Sequence, residues 1–420
     1  MTLAAVEFND QSLLIQADDD TRHAEPGFAR LTDSGVVTGE EARRLAWREP
    51  QHMYNQYWCH LNLTPLANRH RFARHNADMA YAQLYGLWQS AGEPETLALA
   101  APGSFTHEQL SLLLGIVKAI PAETSLVIDS ALAACLDIER DTLFVDVHLH
   151  ESVLTVCRPE NGVVRIVDQE IFPGTGMSQI QNAVARHISD FLIESYRFDP
   201  LHSSATEQGI FDHIPHWLGR LRWEEDVPIK LQSDKGELPC SLRRDAVVRL
   251  VSERLSSLRP FLKEWQDCTP VLAFNSGLLA GLMNEFADAR VARRSAATRR
   301  VIARHDEIVG SSAELRRLRQ VAHSGAGDIL GGIDGEPLAT HLLWGELAMP
   351  LDRPLSIRLT QEGPAMYNRL DEGAALTLVL RNRALETLHG AADTALPQCR
   401  PGDSIRVGGH ELKLIRVHDD

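Results

Sequence analysis

The chain has no C-x-x-C pair, and its six cysteines, at positions 59, 135, 157, 240, 268 and 399, follow no regular spacing. That scatter excludes a disulfide framework or a zinc ribbon and fits reduced, packed thiols. No apolar run approaches the ~18 residues of a membrane-spanning helix. The amino terminus, Met1 to Glu7, has no basic stretch ahead of its apolar residues, so secretion is not indicated and a cytoplasmic location is expected. A basic surplus is missing too. With 42 Lys and Arg against 57 Asp and Glu, the net charge is −15, and neither nucleic acid nor an anionic membrane is an expected partner. G-x-S-x-G, H-E-x-x-H and Walker-A patterns are also absent, which leaves serine-hydrolase, zinc-protease and P-loop chemistry without a motif. What the 420 residues do have is 44% apolar and 24% charged content, enough for two or three soluble globular domains and too apolar for a disordered chain.

Along the chain, Val6 to Ala17 reads as an extended, turned segment ending in the acidic run Asp18-Asp19-Asp20. Leu97 to Ala101 is a short buried strand closed by Pro102-Gly103. Thr106 and Gln109 form a capping box, and Leu110, Leu113, Leu114 and Val117 repeat at helical spacing behind it. Ser125 to Ile128 is another strand. The pattern then restarts. Thr142–Asp146, Ser152–Val156 and Val163–Val167 read as a three-strand meander whose last turn is Asn161-Gly162. After Pro173-Gly174-Thr175-Gly176, a long helix carries Ile180, Val184, Ile188, Phe191 and Leu192 on one face. A helix from about Ser241 to Trp265 should bend or split at Pro260. Val271 to Phe274 is a strand, and Leu278, Leu279, Leu282 and Phe286 form the buried face of the helix that follows.

The first three hundred residues thus hold two successive halves, about 1–140 and 141–300, each opening on a turned strand region with an acidic residue and continuing into strand-then-helix units. This is the outline of a duplicated α/β domain. A basic stretch follows, from Arg290 to Arg304, best explained as a solvated helix face. Ser311 and Glu314 make a capping box ahead of Leu315, Leu318 and Val321, and Gly325, Gly327, Gly331 and Gly332 mark a boundary, so 301–332 reads as a helix and glycine-rich hinge. Short alternating runs over 333–420, closing on a Gly408-Gly409 hairpin, read as a small all-β domain.

Several stretches carry a resemblance to a known family. Gly35-Val-Val-Thr-Gly39-Glu-Glu-Ala42, Ala101-Pro102-Gly103-Ser-Phe105, Ile128-Asp129-Ser130-Ala131, Asp146-Val-His-Leu-His-Glu151, Gly174-Thr175-Gly176 and Leu272-Ala-Phe-Asn-Ser-Gly277 fall in the order and spacing of the actin-like ATPase superfamily. Within it, residues 1 to 290 resemble the ATPase domain of DnaK-type heat-shock chaperones. The resemblance implies a duplicated actin-like (ribonuclease H-like) bilobed fold, with ATP and magnesium as the cofactors. It places the nucleotide cleft at Glu7, Asn9 and Asp10 on a first loop, Asp146, His148, His150 and Glu151 on a second, Gly174, Thr175 and Gly176 beside it, and Asn275, Ser276 and Gly277 in the adenosine segment.

The departures from that pattern bear on mechanism. Glycines in such loops let backbone N–H groups approach a polyphosphate, because no Cβ intervenes. Here Glu7-Phe8-Asn9-Asp10-Gln11 stands for D-L-G-T-T, His148, Leu149 and His150 replace three glycines, Glu151 replaces a threonine, and Phe274 and Asn275 replace two more glycines. Like charges ~4 Å apart repel by about 4 kcal/mol at an intermediate dielectric, so Asp10 or Glu151 facing a triphosphate weakens binding, and productive ATP hydrolysis is not expected.

Asp146, His148 and His150 alternate along one stretch and offer three metal ligands if they converge, although imidazoles filling a former phosphate pocket explain them as well. Trp47, Tyr54, Tyr57, Trp58 and His60 read as a buried subdomain core, with a partner surface as the alternative. The segment Arg400 to Gly409 is similar to the last hairpin of forkhead-associated domains but lacks their phosphothreonine-reading motifs. The expected function is that of a protein-binding scaffold or adaptor with a degenerate nucleotide cleft. The alternatives are an ATP-driven chaperone-like machine in which nucleotide controls the β domain, and a small-molecule sensor that uses the remodelled cleft.

Overall fold

Two six-stranded sheets with the same internal order organise the first part of the chain in its computed structural model. The structure describes residues 2–19, 21–222, 224–233, 236–282, 289–310, 316–323, 339–345, 347–360, 363–371, 373–381, 384–393, 396, 399 and 402–415. In the first sheet, Leu3–Glu7, Leu13–Ala17 and Arg22–Glu25 form an antiparallel meander, and Thr96–Ala101 then Glu123–Asp129 add parallel on the other side of Leu3–Glu7. In the second, Thr142–Val147, Glu151–Glu160 and Val163–Pro173 form the meander, and Thr269–Leu272 then Arg290–Val291 add parallel to Thr142–Val147. The Asn161-Gly162 turn has both residues at positive φ, 53° and 75°, which matches the twist of a tight hairpin.

The inner strands are buried on both faces, which explains their continuous apolar sequence. Ala4 and Val6 join one core cluster with Leu97, Leu99 and Ala101, whereas Ala5 joins a second with Ala98, Ala100 and Ile128. That second core also takes Phe144, Val164 and Val271 from the other sheet, so it lies between the two. Small side chains on its first-sheet side allow close packing. The helix His107–Lys118 starts at the Thr106 capping box as expected, and the helix Met177–Tyr196 buries Ile180, Val184, Ile188 and Leu192. Phe191 falls on that stripe yet is 43% exposed, its ring meeting Tyr196 edge-on at 6.5 Å. Pro260 splits the later helix into Arg244–Arg254 and Arg259–Glu264, with a single 3-10 turn between them.

One expectation fails instructively. Leu318 and Val321 do not lie on a helix: Arg317–Leu318 pairs parallel with Glu123–Asp129 at the edge of the first sheet, and Gln320–Ala322 pairs antiparallel with Val163–Pro173 at the edge of the second. A spacing of three fits a helix, but two open sheet edges offer this stretch the ladder bonds that decide the outcome. A single short segment is thereby hydrogen-bonded to both sheets. Ser276–Leu278 is a 3-10 turn rather than the start of a regular helix. Phe286, the Ser311–Glu314 box and the Gly325–Gly332 hinge lie outside the described residues.

The chain divides into two compact units, Met1–Leu218 with Pro228–Ile329, and Gly219–Val227 with Leu330–Asp420. The second holds two four-stranded antiparallel sheets, Leu347–Pro350, His341–Trp344, His410–Ile415 and Ser404–Val407 in one, and Gly363–Tyr367, Leu355–Thr360, Leu376–Arg381 and Ala384–Gly390 in the other. They share one apolar core that includes Leu342, Ile357, Leu376, Leu378, Leu412 and Leu414.

Candidate functional site

Two loops meet where the opening strands of the two sheets end. The first, residues 8–12, is held by its own side chain: Asn9 Oδ1 accepts from Gln11 N–H at 2.9 Å, and Asn9 O accepts from Ser12 N–H at 2.9 Å. Its outer side is fixed by Gly27, whose N–H donates to Asp10 O at 2.7 Å. A Cβ on Gly27 would stand 2.8 Å from that oxygen, so only glycine fits. The second loop, residues 148–150, is closed by His148 N–H on Glu151 O at 2.8 Å.

The loops are bonded to each other. Asn9 Nδ2 donates to Asp146 Oδ1 at 2.8 Å, and the other oxygen of Asp146 meets His148 Nε2 at 3.1 Å. His148 Nδ1 lies 3.7 Å from Asp10 Oδ1, which accepts from the Leu149 N–H at 2.6 Å. Asn9, Asp10, Asp146 and His148 are each at most 5% exposed. Asp10 Oδ2 is buried and has no hydrogen-bond partner among the described residues. The Leu149 side chain packs on Phe28 and Ala42.

Neighbouring backbone donors are also taken by the protein. Val147 N–H donates to Ser276 Oγ at 2.7 Å. The first amides of the helix Met177–Tyr196, those of Met177 and Ser178, donate to His148 O and Leu149 O, both at 2.8 Å, and Gly174 N–H donates to His150 O at 2.9 Å. Thr175 Oγ1 donates to Phe172 O at 2.6 Å, while Thr175 O accepts from Ser152 Oγ at 2.9 Å. Gly176 runs so close to the loop that a Cβ there would stand 2.5 Å from the His150 backbone. A Cβ on Gly277 would stand 2.4 Å from Val291 Cγ1, a side-chain rather than a backbone atom.

Of the expected cleft residues, Glu7, Asn9, Asp146 and Asn275 line one cavity with Phe274 and Arg294, which admits solvent over about 30 Å³. Asp10, His148 and Glu151 line a second with Cys59, of about 10 Å³. These volumes hold roughly one water each. His150 turns away, its Nε2 on Asn55 O at 2.8 Å, so it does not converge with Asp146 and His148 as a third ligand. Gly174, Thr175 and Gly176 support the second loop from behind, and Ser276 caps its strand.

The electrostatics follow from enclosure. Burial, reinforced by the charge of Asp146, pushes the Glu7 carboxyl up to about 8, against the pull of His148. For His148, burial opposes the imidazolium, but the charge and hydrogen bond of Asp146, with Asp10 and Glu151, outweigh it and raise the imidazole to about 9. Asp10 is raised as well: burial, with the charge of Glu151, outweighs His148, the Leu149 N–H and His150, which favour its ionised form. At neutral pH, Glu7 is mostly protonated and His148 is the cation of the cluster. The thiol of Cys59 is pushed up to about 12, by burial and then by Asp10 and Glu151, which leaves it unreactive.

ATP and magnesium do not fit these residues as they stand. The amides of His148, Leu149, Met177 and Ser178 are bonded within the protein, a carboxylate sits on one of them, and neither cavity admits a phosphate chain.

Two further contacts between the halves escape sequence reasoning. Trp47 stacks on Phe211 of the helix Ser204–Arg220, with centroids 4.0 Å apart and planes 12° apart. The backbone N–H of Trp47 donates to Gln208 Oε1 at 2.9 Å, and Gln208 Nε2 donates to Arg43 O at 3.2 Å. The second is at Asp129, fully buried in the first half, which accepts from Gln169 Nε2 of the second half at 3.1 Å and also pairs with Arg317 on the edge strand of its own sheet. Trp47 was visible as one of an aromatic group, of which Tyr57 and Trp58 are buried, Tyr54 is half-buried and His60 is exposed. Gln208, Phe211, Gln169 and Arg317 carry no local signal.

Among the described residues, no helix is long and apolar enough to cross a membrane. No family model matches this chain, and no curated protein does.

Proposed function

We propose that the first unit is a duplicated actin-like (ribonuclease H-like) bilobed domain of the DnaK type whose nucleotide cleft is filled by its own side chains, and that the protein works in the cytoplasm as a protein-binding scaffold or adaptor. The repeated strand order supports the fold reading, since each sheet has an antiparallel meander extended by parallel strands. The observation that carries the functional reading is the Asp10 carboxylate on the Leu149 N–H at 2.6 Å. A phosphate at that amide would have to displace the Asp10 carboxyl, which already takes the only N–H that Leu149 has to offer. With its halves joined at the loops, at Trp47–Phe211 and at Gln169–Asp129, the unit offers partners a fixed surface rather than a cycling one.

Thermal unfolding of the full chain with millimolar magnesium-ATP, magnesium-ADP or a nonhydrolysable analogue tests this. Unchanged midpoints are expected, whereas a ligand at ~100 times its Kd adds about 2.7 kcal/mol. A midpoint rise accompanied by phosphate release that disappears in Glu7→Ala or Asp146→Ala makes the protein an ATPase and overturns the reading. Complexes captured from native lysate should keep their composition with or without ATP. Release of partners by ATP points instead to the chaperone-like machine.

A further inference from the structure

The stretch from Pro50 to Ala77 holds no Asp or Glu, where the chain's 57 acids in 420 residues would place about four. It carries instead Arg69, Arg71 and Arg74, all exposed, within one loop. The loop is closed at its base, where Pro65 and His75 form an antiparallel bridge and Leu66 N–H donates to Arg74 O at 2.8 Å. Arg74 N–H in turn donates to Asp78 Oδ2 at 2.6 Å, in the first turn of the helix Asn76–Ser90. Ala73 is fully buried and Leu66 packs on the same core, so the loop is pinned from inside while its arginines stay exposed. Arg74 lies 3.8 Å from Asp78 with its side chain 80% exposed, and no acidic side chain pairs with Arg69 or Arg71 among the described residues. The Arg71 guanidinium rests over the Phe72 ring, 4.6 Å from its centroid, which orients it. Leu63, two residues ahead of the bridge, is at 56% the most exposed large apolar side chain among the described residues. Its turn is fixed by Thr64 N–H on Asn62 Oδ1 at 2.9 Å.

We propose that the loop over residues 63–74 is a docking surface for an acidic segment of a partner protein, whose carboxylates pair with Arg69, Arg71 and Arg74 and whose apolar side chain covers Leu63. Charge complementarity selects this occupant. A chain of net charge −15 repels acidic segments over most of its surface, but that field is screened beyond ~8 Å at physiological salt, so an acidic segment is held where cations stand without acids. A nucleic acid is a poorer match, because its charges continue, one per ~1.7 Å of duplex, past three arginines into the negative field. Arginines on an anchored loop also lose less freedom on binding than arginines on a loose one. None of these residues lines either cavity, so the inference goes beyond the self-filled cleft and does not depend on it.

The test uses the full chain and a labelled dodecapeptide of glutamate and aspartate with a leucine at every fourth position, followed by fluorescence anisotropy at low and at physiological salt. Wild type should bind it, more weakly as salt rises. Changing Arg69→Gln, Arg71→Gln and Arg74→Gln together should weaken binding roughly 8- to 30-fold, two- to threefold for each exposed ion pair, with the unfolding midpoint unchanged. If loss of the Arg74–Asp78 pair unsettles the loop, Arg69→Gln with Arg71→Gln should still weaken binding roughly four- to ninefold. Leu63→Ser should weaken binding of the leucine-containing peptide and leave that of an all-glutamate version as it was. A control chain with Arg254→Gln, Arg290→Gln and Arg299→Gln removes the same charge from exposed positions outside the loop and should bind as wild type does. No binding by wild type at low salt overturns the surface, as does an equal loss in the control chain or no loss in the loop variants. A single-stranded oligonucleotide of equal charge that binds as tightly, and loses as much in the loop variants, makes the loop a general polyanion site and overturns the assignment to an acidic protein segment. Sedimentation that shows wild type self-associating, and the loop variants not, gives the surface to a second copy of the chain and overturns it as well.

Discussion

Glu7→Gln reproduces the shape of a protonated Glu7 without its ability to ionise, and this isolates what enclosure does to one carboxyl. The native group titrates near 8 instead of 4.5, because burial and the Asp146 charge disfavour its anion more than His148 favours it. A group whose pKa is higher in the folded state binds more protons there, so its contribution is full below the unfolded value and is lost as pH rises through the folded one. The interval from 4.5 to about 8 is worth roughly 5 kcal/mol at ~1.4 kcal/mol per pH unit. Because the carboxyl lines a solvent-admitting cavity, hydration reduces this to about 2–4 kcal/mol. His148, raised to about 9, adds a loss of the same sign between its ordinary value of 6.5 and 9. Asp10, Asp146 and Glu151 face that imidazole, so its loss belongs to the cluster and persists in the variant. Urea unfolding of wild type and Glu7→Gln from pH 5 to 9.5 should give similar free energies at the acid end, with wild type falling behind by about 2–4 kcal/mol at the alkaline end. A constant gap across that range, or a wild type that gains on the variant as pH rises, refutes the assignment of a protonated Glu7.

Arg317→Met should cost about 3–5 kcal/mol in urea unfolding, because it strands the fully buried Asp129 carboxylate, and adding Asp129→Asn should recover part of that loss. Gly176→Ala should cost about 1–3 kcal/mol, since its Cβ would press on the His150 backbone, and amide chemical shifts should move across residues 148–151. Trp47→Ala should lose about 1–2 kcal/mol with the Phe211 stack, and hydrogen exchange should speed up over residues 43–54 while the Leu3–Glu7 strand stays protected.

Much of the fold was legible because local signals and tertiary demands agree. Buried strands such as Thr96–Ala101 need apolar residues on both faces and have them, Asn161-Gly162 suits a turn that needs positive φ twice, and Thr106 with Gln109 caps a helix that also buries Leu113 and Val117. The segment from 317 to 322 was misread because its apolar spacing serves either period, and only the open edges of two sheets select the strand. Within the site, the two loops were legible but the pairing of their side chains was hidden. The partners Asp10 and Leu149 are 139 residues apart, and Gln208 and Trp47 are 161 apart, separations at which residue order says nothing about contact. His150 shows the limit of assigning a side chain by its neighbours: two residues from His148, it serves Asn55 instead.

These pairings also decide whether the halves can work as a nucleotide clamp. Opening at the mouth breaks the Asp10 bond to Leu149, the Asn9 bond to Asp146 and the Trp47–Phe211 stack. Hydrogen bonds to charged groups contribute about 1.5–3 kcal/mol each and an aromatic pair about 0.5–1.5, so the open state lies about 3.5–7.5 kcal/mol above the closed one, near 5.5 at the middle of that range. Its population is then about one in 10⁴, and a ligand that requires it binds weaker by that factor, so an intrinsic Kd of ~1 μM is observed near ~10 mM. A triphosphate would also have to take back the amides of His148, Met177 and Ser178 from their carbonyl partners. Placing glycines at 148–150 alone therefore leaves nucleotide binding weak: the steric block would be gone, but the mouth would still be latched by Asp10, Asn9 and Trp47. Binding should appear only when Asp10 is removed as well, and a glycine-only variant that binds ATP at micromolar concentration would show that the latches contribute far less than these bonds imply.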